Sequence, residues 1–209
     1  MHPSSLVVII QLMVDIYPVR GVNVTQQQNY SVVGQHDGFE LRRYPECIVA
    51  SIEVASSFER AGNSGFMALV SYITGNNHSR SKLAMTAPVI QEKGVGIVQE
   101  YPVLEQASGD RHIVSFVMPD GWTMDTLPDP NDERVVLREV PVELVAVDQF
   151  SGRWSTASYQ TRLERLERSI KRAGFEVVGV ARFARFDPPW TPWFMRRNEI
   201  QIPVQSANG

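Results

Sequence analysis

The side chains of this 209-residue chain that could bind a metal or attack a substrate are four histidines, one cysteine and several carboxylates. His2, His36, His78 and His112 contain no pair at the i,i+4 spacing of a helical zinc site, and no nearby carboxylate completes one. His78 lies in the polar turn "GNNHSRSK", from which it could reach over a groove as a metal ligand; a solvated loop histidine is the stronger reading. Cys47 sits in an apolar stretch, where a buried, inert thiol is the default, and a single cysteine excludes an intramolecular disulfide. There is no Gly-x-Ser-x-Gly elbow and no glycine-rich phosphate loop opening a helix. Asp129, Asp132 and Glu133 fall in a proline-rich turn that needs no catalytic explanation. No catalytic constellation emerges, and the expectation is a protein that is not an enzyme.

The stretch "ARFDPPWTPWFMRRNEI" (184–200) offers binding chemistry instead. Trp190, Trp193 and Phe194 lie within five residues, among Pro188, Pro189 and Pro192. Successive prolines stiffen an extended backbone and lower the ordering cost of presenting aromatic rings. Arg196 and Arg197 follow, and aromatics beside guanidinium groups suit a flat, anionic ligand. An equally good account has the tryptophans closing the core and the arginines pairing with local carboxylates. Both remain open at this point.

Elements that would position these residues are visible from residue 39 onward. "FELRRYPECIVASIEV" (39–54) reads as one or two strands broken at Pro45. Phe58, Phe66, Leu69, Val70 and Ile73 then share one helical face, Ser56 or Ser57 can cap it, and Gly75 can stop it. Gly62 and Gly65 each cost about 1 kcal/mol against Ala in a helix, which suggests close approach by a neighbour. Residues 81–92 and 111–120 read as strands, and 121–133 as turn material. Strands over 134–152, a helix over 156–173 and strands over 175–187 and 198–204 repeat the order. In the second helix Tyr159, Leu163, Leu166 and Ile170 form the apolar stripe, opposite an arginine-rich face read as solvated. Strand, helix, strand, strand twice over predicts an α+β fold built from two pseudo-symmetric halves.

Composition bounds the partners. The 43% apolar and 21% charged fractions are ordinary for a globular chain, and a net charge of −3 argues against broad nucleic-acid affinity. The apolar run over residues 6–14 is too short to span a bilayer and lacks the basic flank of a secretory signal. It reads as a leader, with a signal or anchor as the alternative.

"FELRRY", "SYITGNN", "KLAMTAPV", "FVMP", "LPDP", "FSG" and "DPPWTPWFMRRNE" occur in the order that resembles the SOUL haem-binding family. The resemblance implies a leader over 1–29, a SOUL-like domain over 30–204 and a tail over 205–209. It also implies a distorted eight-stranded, mainly antiparallel barrel with two flanking helices. The implied ligand is haem or a related tetrapyrrole, held in a shallow apolar groove beside the first helix; with Arg43 rather than histidine in the strand motif "FELRRY", no strong axial ligand is expected. The candidate wall is Asn63, Phe66, Met67 and Val70, with the C-terminal aromatics opposite and the Met85 thioether able to pack on a planar ring. Two departures stand out. Arg43 occupies the place where some members have a histidine proposed as axial ligand, and Asn63 and Ser71 stand at positions that are basic in the mammalian type. The resulting expectation is a carrier or buffer of a small planar ligand, with no nucleic acid and no transmembrane span. A general small-molecule sensor or interaction module is the alternative, since the fold also resembles effector-binding domains of transcription regulators.

Overall fold

β-Branched and aromatic runs separated by short turns pair into strands, and the two amphipathic segments between them coil into helices. The computed structural model describes residues 26–94, 111–153, 155–187 and 191–207. Most of the leader, Pro188, Pro189 and Trp190 therefore lie outside the described residues, as does the side chain of Asn63. In chain order the elements are β1 (Gln26–Gln27), β2 (Ser31–His36), β3 (Phe39–Tyr44), β4 (Cys47–Ala55), α1 (Phe58–Ile73), β5 (Thr86–Ala87), β6 (Val89–Lys93) and β7 (Arg111–Val117). They continue with β8 (Val135–Val140), β9 (Glu143–Phe150), α2 (Thr156–Arg172), β10 (Phe175–Val177), β11 (Arg182–Arg185), a 3-10 turn at Trp193–Met195 and β12 (Asn198–Ser206).

The doubled order survives as topology. One half runs β4-α1-β6-β7 and lies in the sheet as β6-β7-β4; the other runs β9-α2-β11-β12 and lies as β11-β12-β9. The halves join through the antiparallel β6–β11 pair, Val89 opposite Arg185 and Gln91 opposite Phe183. β3 then adds to β9 and β8 to β4, so each half lends a strand to the other. The fold is α+β, a mainly antiparallel sheet with two helices. The sheet follows an open path from β2 to β8, and no described pairing joins those ends, so the eight-stranded barrel is not closed here. β8 ends one side of the path beside β4, β3 and then β2 extend the other beyond β9, and β2 ends the sheet with exposed Val32 and Val33 and a register shift before Gly34.

Each helix covers its own half. Leu69, Val70, Tyr72 and Ile73 of α1 pack with Ile52, Val114 and Phe116, while Leu166 and Ile170 of α2 pack with Phe183, Ile200 and Ile202. Gly65 permits the first contact: a Cβ there would lie 2.9 Å from both Ile52 Cγ2 and Val114 Cβ. The neighbour suggested by the helix glycines is thus the sheet itself. Ser57 occupies the N-cap position of α1, but its hydroxyl meets Arg60 rather than a backbone N–H. At α2, Ser155 does cap, accepting from the Ser158 amide at 3.3 Å. Gly75 and Gly174, at φ 113° and 77°, follow the two helices in the left-handed region that glycine tolerates.

Among the described residues no helix is long and apolar enough to cross a membrane.

Candidate functional site

The first turns of α1 and α2 meet above β6, β7 and β11, and between them lies a cavity of about 960 Å³. Its apolar wall comes from both halves. Phe58 opens α1, Tyr159 and Leu163 lie in the first two turns of α2, and Val180 and Ala181 precede β11. The Phe58 ring lies 4.8 Å from Tyr159 and 5.4 Å from the buried Phe183, and Tyr159 meets Phe183 at 5.7 Å. Three rings thus bridge the pseudo-symmetric halves. Gln91 fixes this corner. Buried in β6, it donates to the Phe58 carbonyl at 2.9 Å and accepts from Arg185 at 2.7 Å.

Charged groups line the cavity from β6 and β7, and Ser57, Thr156 and Gln160 add uncharged polar groups from the helix starts. Lys93 and Arg111 supply cations; the Lys93 side chain is exposed, and Arg111 lies 3.7 Å from the Glu53 carboxylate. Glu92 also lines the cavity, but its carboxylate already accepts from Arg138 at 3.0 Å and lies 3.6 Å from Arg182. His112, on β7, completes that side. Its Nδ1 is 2.9 Å from the Ser56 carbonyl, and its ring meets the edge of Phe58 at 6.0 Å. Burial, and then the charge of Glu167, push the Tyr159 hydroxyl up to about 12, so it is a neutral phenol at ordinary pH.

The described residues singled out from the sequence as ligand candidates lie elsewhere. Phe66, Val70 and Met85 come together in the core under α1, with Val70 at 1% and Met85 at 8% exposure. Phe66 packs edge-on against Phe116 at 5.4 Å, and Met67 is half-buried on the same helix. Trp193 and Phe194 project from the 3-10 turn, 50% and 61% exposed, edge-on to each other at 5.7 Å, with the Arg153 guanidinium 5.6 Å over Trp193. Arg196 donates to the Thr191 carbonyl at 2.7 Å. Arg197 donates twice to Glu199, at 2.6 and 3.1 Å, and lies over the Phe186 ring at 4.0 Å. His78 is an exposed loop residue 3.8 Å from Asp129, and no three His, Cys, Asp or Glu gather as a metal site among the described residues.

None of these lines the cavity between the helix starts. The residues that do were read from sequence as packing positions, or passed over. The doubled pattern held the available signal: the halves join through β6 and β11, and the ring contact of Phe58 with Tyr159 brings the two helix starts together.

Comparison with known proteins follows the same lines. A family described as "SOUL heme-binding protein" matches residues 25–203. Heme-binding protein 1 of Xenopus laevis is 26% identical over 170 residues, covering 80% of this chain and 85% of that protein. Among solved structures, the EcmrR C-terminal domain superposes with a TM-score of 0.55 at 16% identity, covering 85% of this chain and 98% of that one. A structure described as a hydrolase from Listeria innocua reaches 0.51 at 12% identity over 79% and 91% of the two chains. At such identities the structural likenesses show a shared fold alone. With its family match running from Thr25 to Pro203, through both halves of the sheet and both helices, the chain belongs to the SOUL heme-binding protein family.

Proposed function

We propose that this protein binds haem or a related tetrapyrrole and carries or buffers it, without catalysing a reaction on it. The observation that carries this reading is the cavity between the helix starts: an apolar wall from both halves of the sheet, with Lys93 and Arg111 on one side. Its volume lies near the upper end of the roughly 300–1,000 Å³ common for small-molecule sites. A tetrapyrrole is a broad apolar disc carrying carboxylates at one edge. Phe58, Tyr159 and Leu163 suit the disc, and the two cations suit the carboxylates. Membership of the family supports the same ligand class.

Magnitudes favour reversible holding. Burying about 300 Å² of apolar surface at roughly 25 cal/mol/Å² contributes about 7–8 kcal/mol gross. Ordering and association costs reduce that to micromolar affinity or weaker, which suits hand-over better than permanent retention.

Titrating the purified chain with hemin and following the Soret band tests the reading. Saturation at micromolar concentration is expected, with affinity falling several-fold in the Lys93→Ala/Arg111→Ala double variant and with rising salt. No saturable Soret change would overturn it. Equal competition by unrelated flat dyes would replace it with a general small-molecule sensor.

A further inference from the structure

Resting on the haem-binding reading, we propose that His112 is the axial ligand of the bound iron, through Nε2. A carbonyl oxygen only accepts, so the 2.9 Å contact with Ser56 requires Nδ1 to carry the proton. In that tautomer the lone pair is on Nε2, and the described contacts place no protein hydrogen bond there. This is the usual arrangement of a metal-binding imidazole: the far nitrogen donates to a backbone carbonyl, which fixes tautomer and ring orientation. Phe58, edge-on at 6.0 Å, restrains the ring further. The bond forms from the Nε2 lone pair alone. No proton need leave, because the ring's proton already sits on Nδ1.

Other donors fall away on position. His78 is in an exposed loop beside Asp129, and His36 stacks on Phe39 at 4.7 Å away from the cavity lining. Met85 is in the core under α1, and Cys47 is not among the lining residues. Tyr159 does line the cavity, but its raised pKa keeps it a phenol rather than the phenolate that binds iron. The sequence-based expectation of a site without a strong axial ligand rested on Arg43. Here the donor comes from a different strand, β7.

The test titrates full-length wild type, His112→Ala and His112→Gln with hemin and, separately, with metal-free protoporphyrin IX. Electron paramagnetic resonance reads the ligation of the ferric complexes. Wild type should show nitrogen ligation, and both variants should lose it and bind hemin about tenfold or more weakly. Protoporphyrin affinity should be unchanged, which doubles as the folding control, and added imidazole should restore the ligated spectrum in His112→Ala. Equal hemin affinity and equal ferric spectra in variants and wild type would overturn the assignment while leaving haem binding intact. Failure of wild type to saturate with either compound would remove the haem reading, and this assignment with it.

Discussion

Replacing Glu199 by alanine should unfold this protein more readily while leaving its ligand chemistry alone. Glu199 is fully buried, at 0% exposure, on the face of β12 opposite α2. One carboxylate oxygen accepts from Arg42 at 3.0 Å and from Arg197 at 2.6 and 3.1 Å, and the other accepts from Gln201 at 2.9 Å. Burial alone would lower the Arg42 pKa, but Glu199 holds it above its ordinary value. Breaking a buried pair by removing one partner costs about 3–5 kcal/mol. Two features place this case at the lower end: Arg42 keeps Glu40 and the Tyr44 hydroxyl, and Arg197 is a quarter exposed and can turn to water. The expected loss is about 3 kcal/mol, or roughly 6–12 °C in Tm for a chain of this size. Urea unfolding followed by circular dichroism should show a lower midpoint at unchanged slope. Replacing both partners with apolar residues, Arg42→Met with Glu199→Leu, should recover most of the loss. A cost below about 1 kcal/mol for Glu199→Ala would refute the reasoning. So would intact stability with a tenfold loss of hemin affinity, which would give Arg197 to the ligand.

Two further outcomes follow from the packing and the buried phenols. Gly65→Ala should destabilise by about 1–2 kcal/mol, since overpacking against the rigid Ile52 and Val114 outweighs a helix-propensity gain of about 1 kcal/mol; a net gain in a denaturant melt would mean that α1 lifts freely from the sheet. Tyr44, Tyr72 and Tyr159 are each pushed up to about 12, by burial first and then by the nearby charges of Glu199, Asp129 and Glu167 respectively. Raised folded-state values mean that their contribution is complete below about pH 10 and is lost as pH climbs toward 12. Tyrosinate absorbance should therefore appear in two stages, the second coinciding with loss of structure, and a single early step would contradict it.

Sequence periodicity reported what each segment buries, and that is why it located some features and missed others. The helix predicted over 156–173 is α2 at Thr156–Arg172, because its stripe is local and Ser155 and Gly174 punctuate its ends. The stretch 81–92, read as a strand, is one only from Thr86–Ala87 and Val89 onward, and its first part misled for the same reason. Leu83 and Met85 alternate inward as in a strand, yet residues 82–85 pair with nothing in the sheet. Asn77 holds the preceding turn through the Tyr72 and Ser81 carbonyls and the Ser81 amide, and Leu83 donates to the Ile73 carbonyl. Alternation there records burial without a ladder. β2 failed in the opposite sense: Val32 and Val33 are exposed and a register shift precedes Gly34, so a real strand carries no alternation.

For residues 184–200 the sequence left a ligand and local carboxylates both open as partners, and the structure pairs Arg197 with Glu199 at the start of β12. The cavity is harder still. Phe58, His112 and Tyr159 come from three elements, and each is locally a plain packing residue. What distinguishes His112 from any other strand histidine is a hydrogen bond to a carbonyl 56 residues earlier. That contact exists only because β4 and β7 pair with Val54 opposite His112, which brings Ser56 alongside the ring. The proposed ligand site is therefore a property of register, and changes that shift the β4–β7 pairing should lower hemin affinity before they disturb either helix.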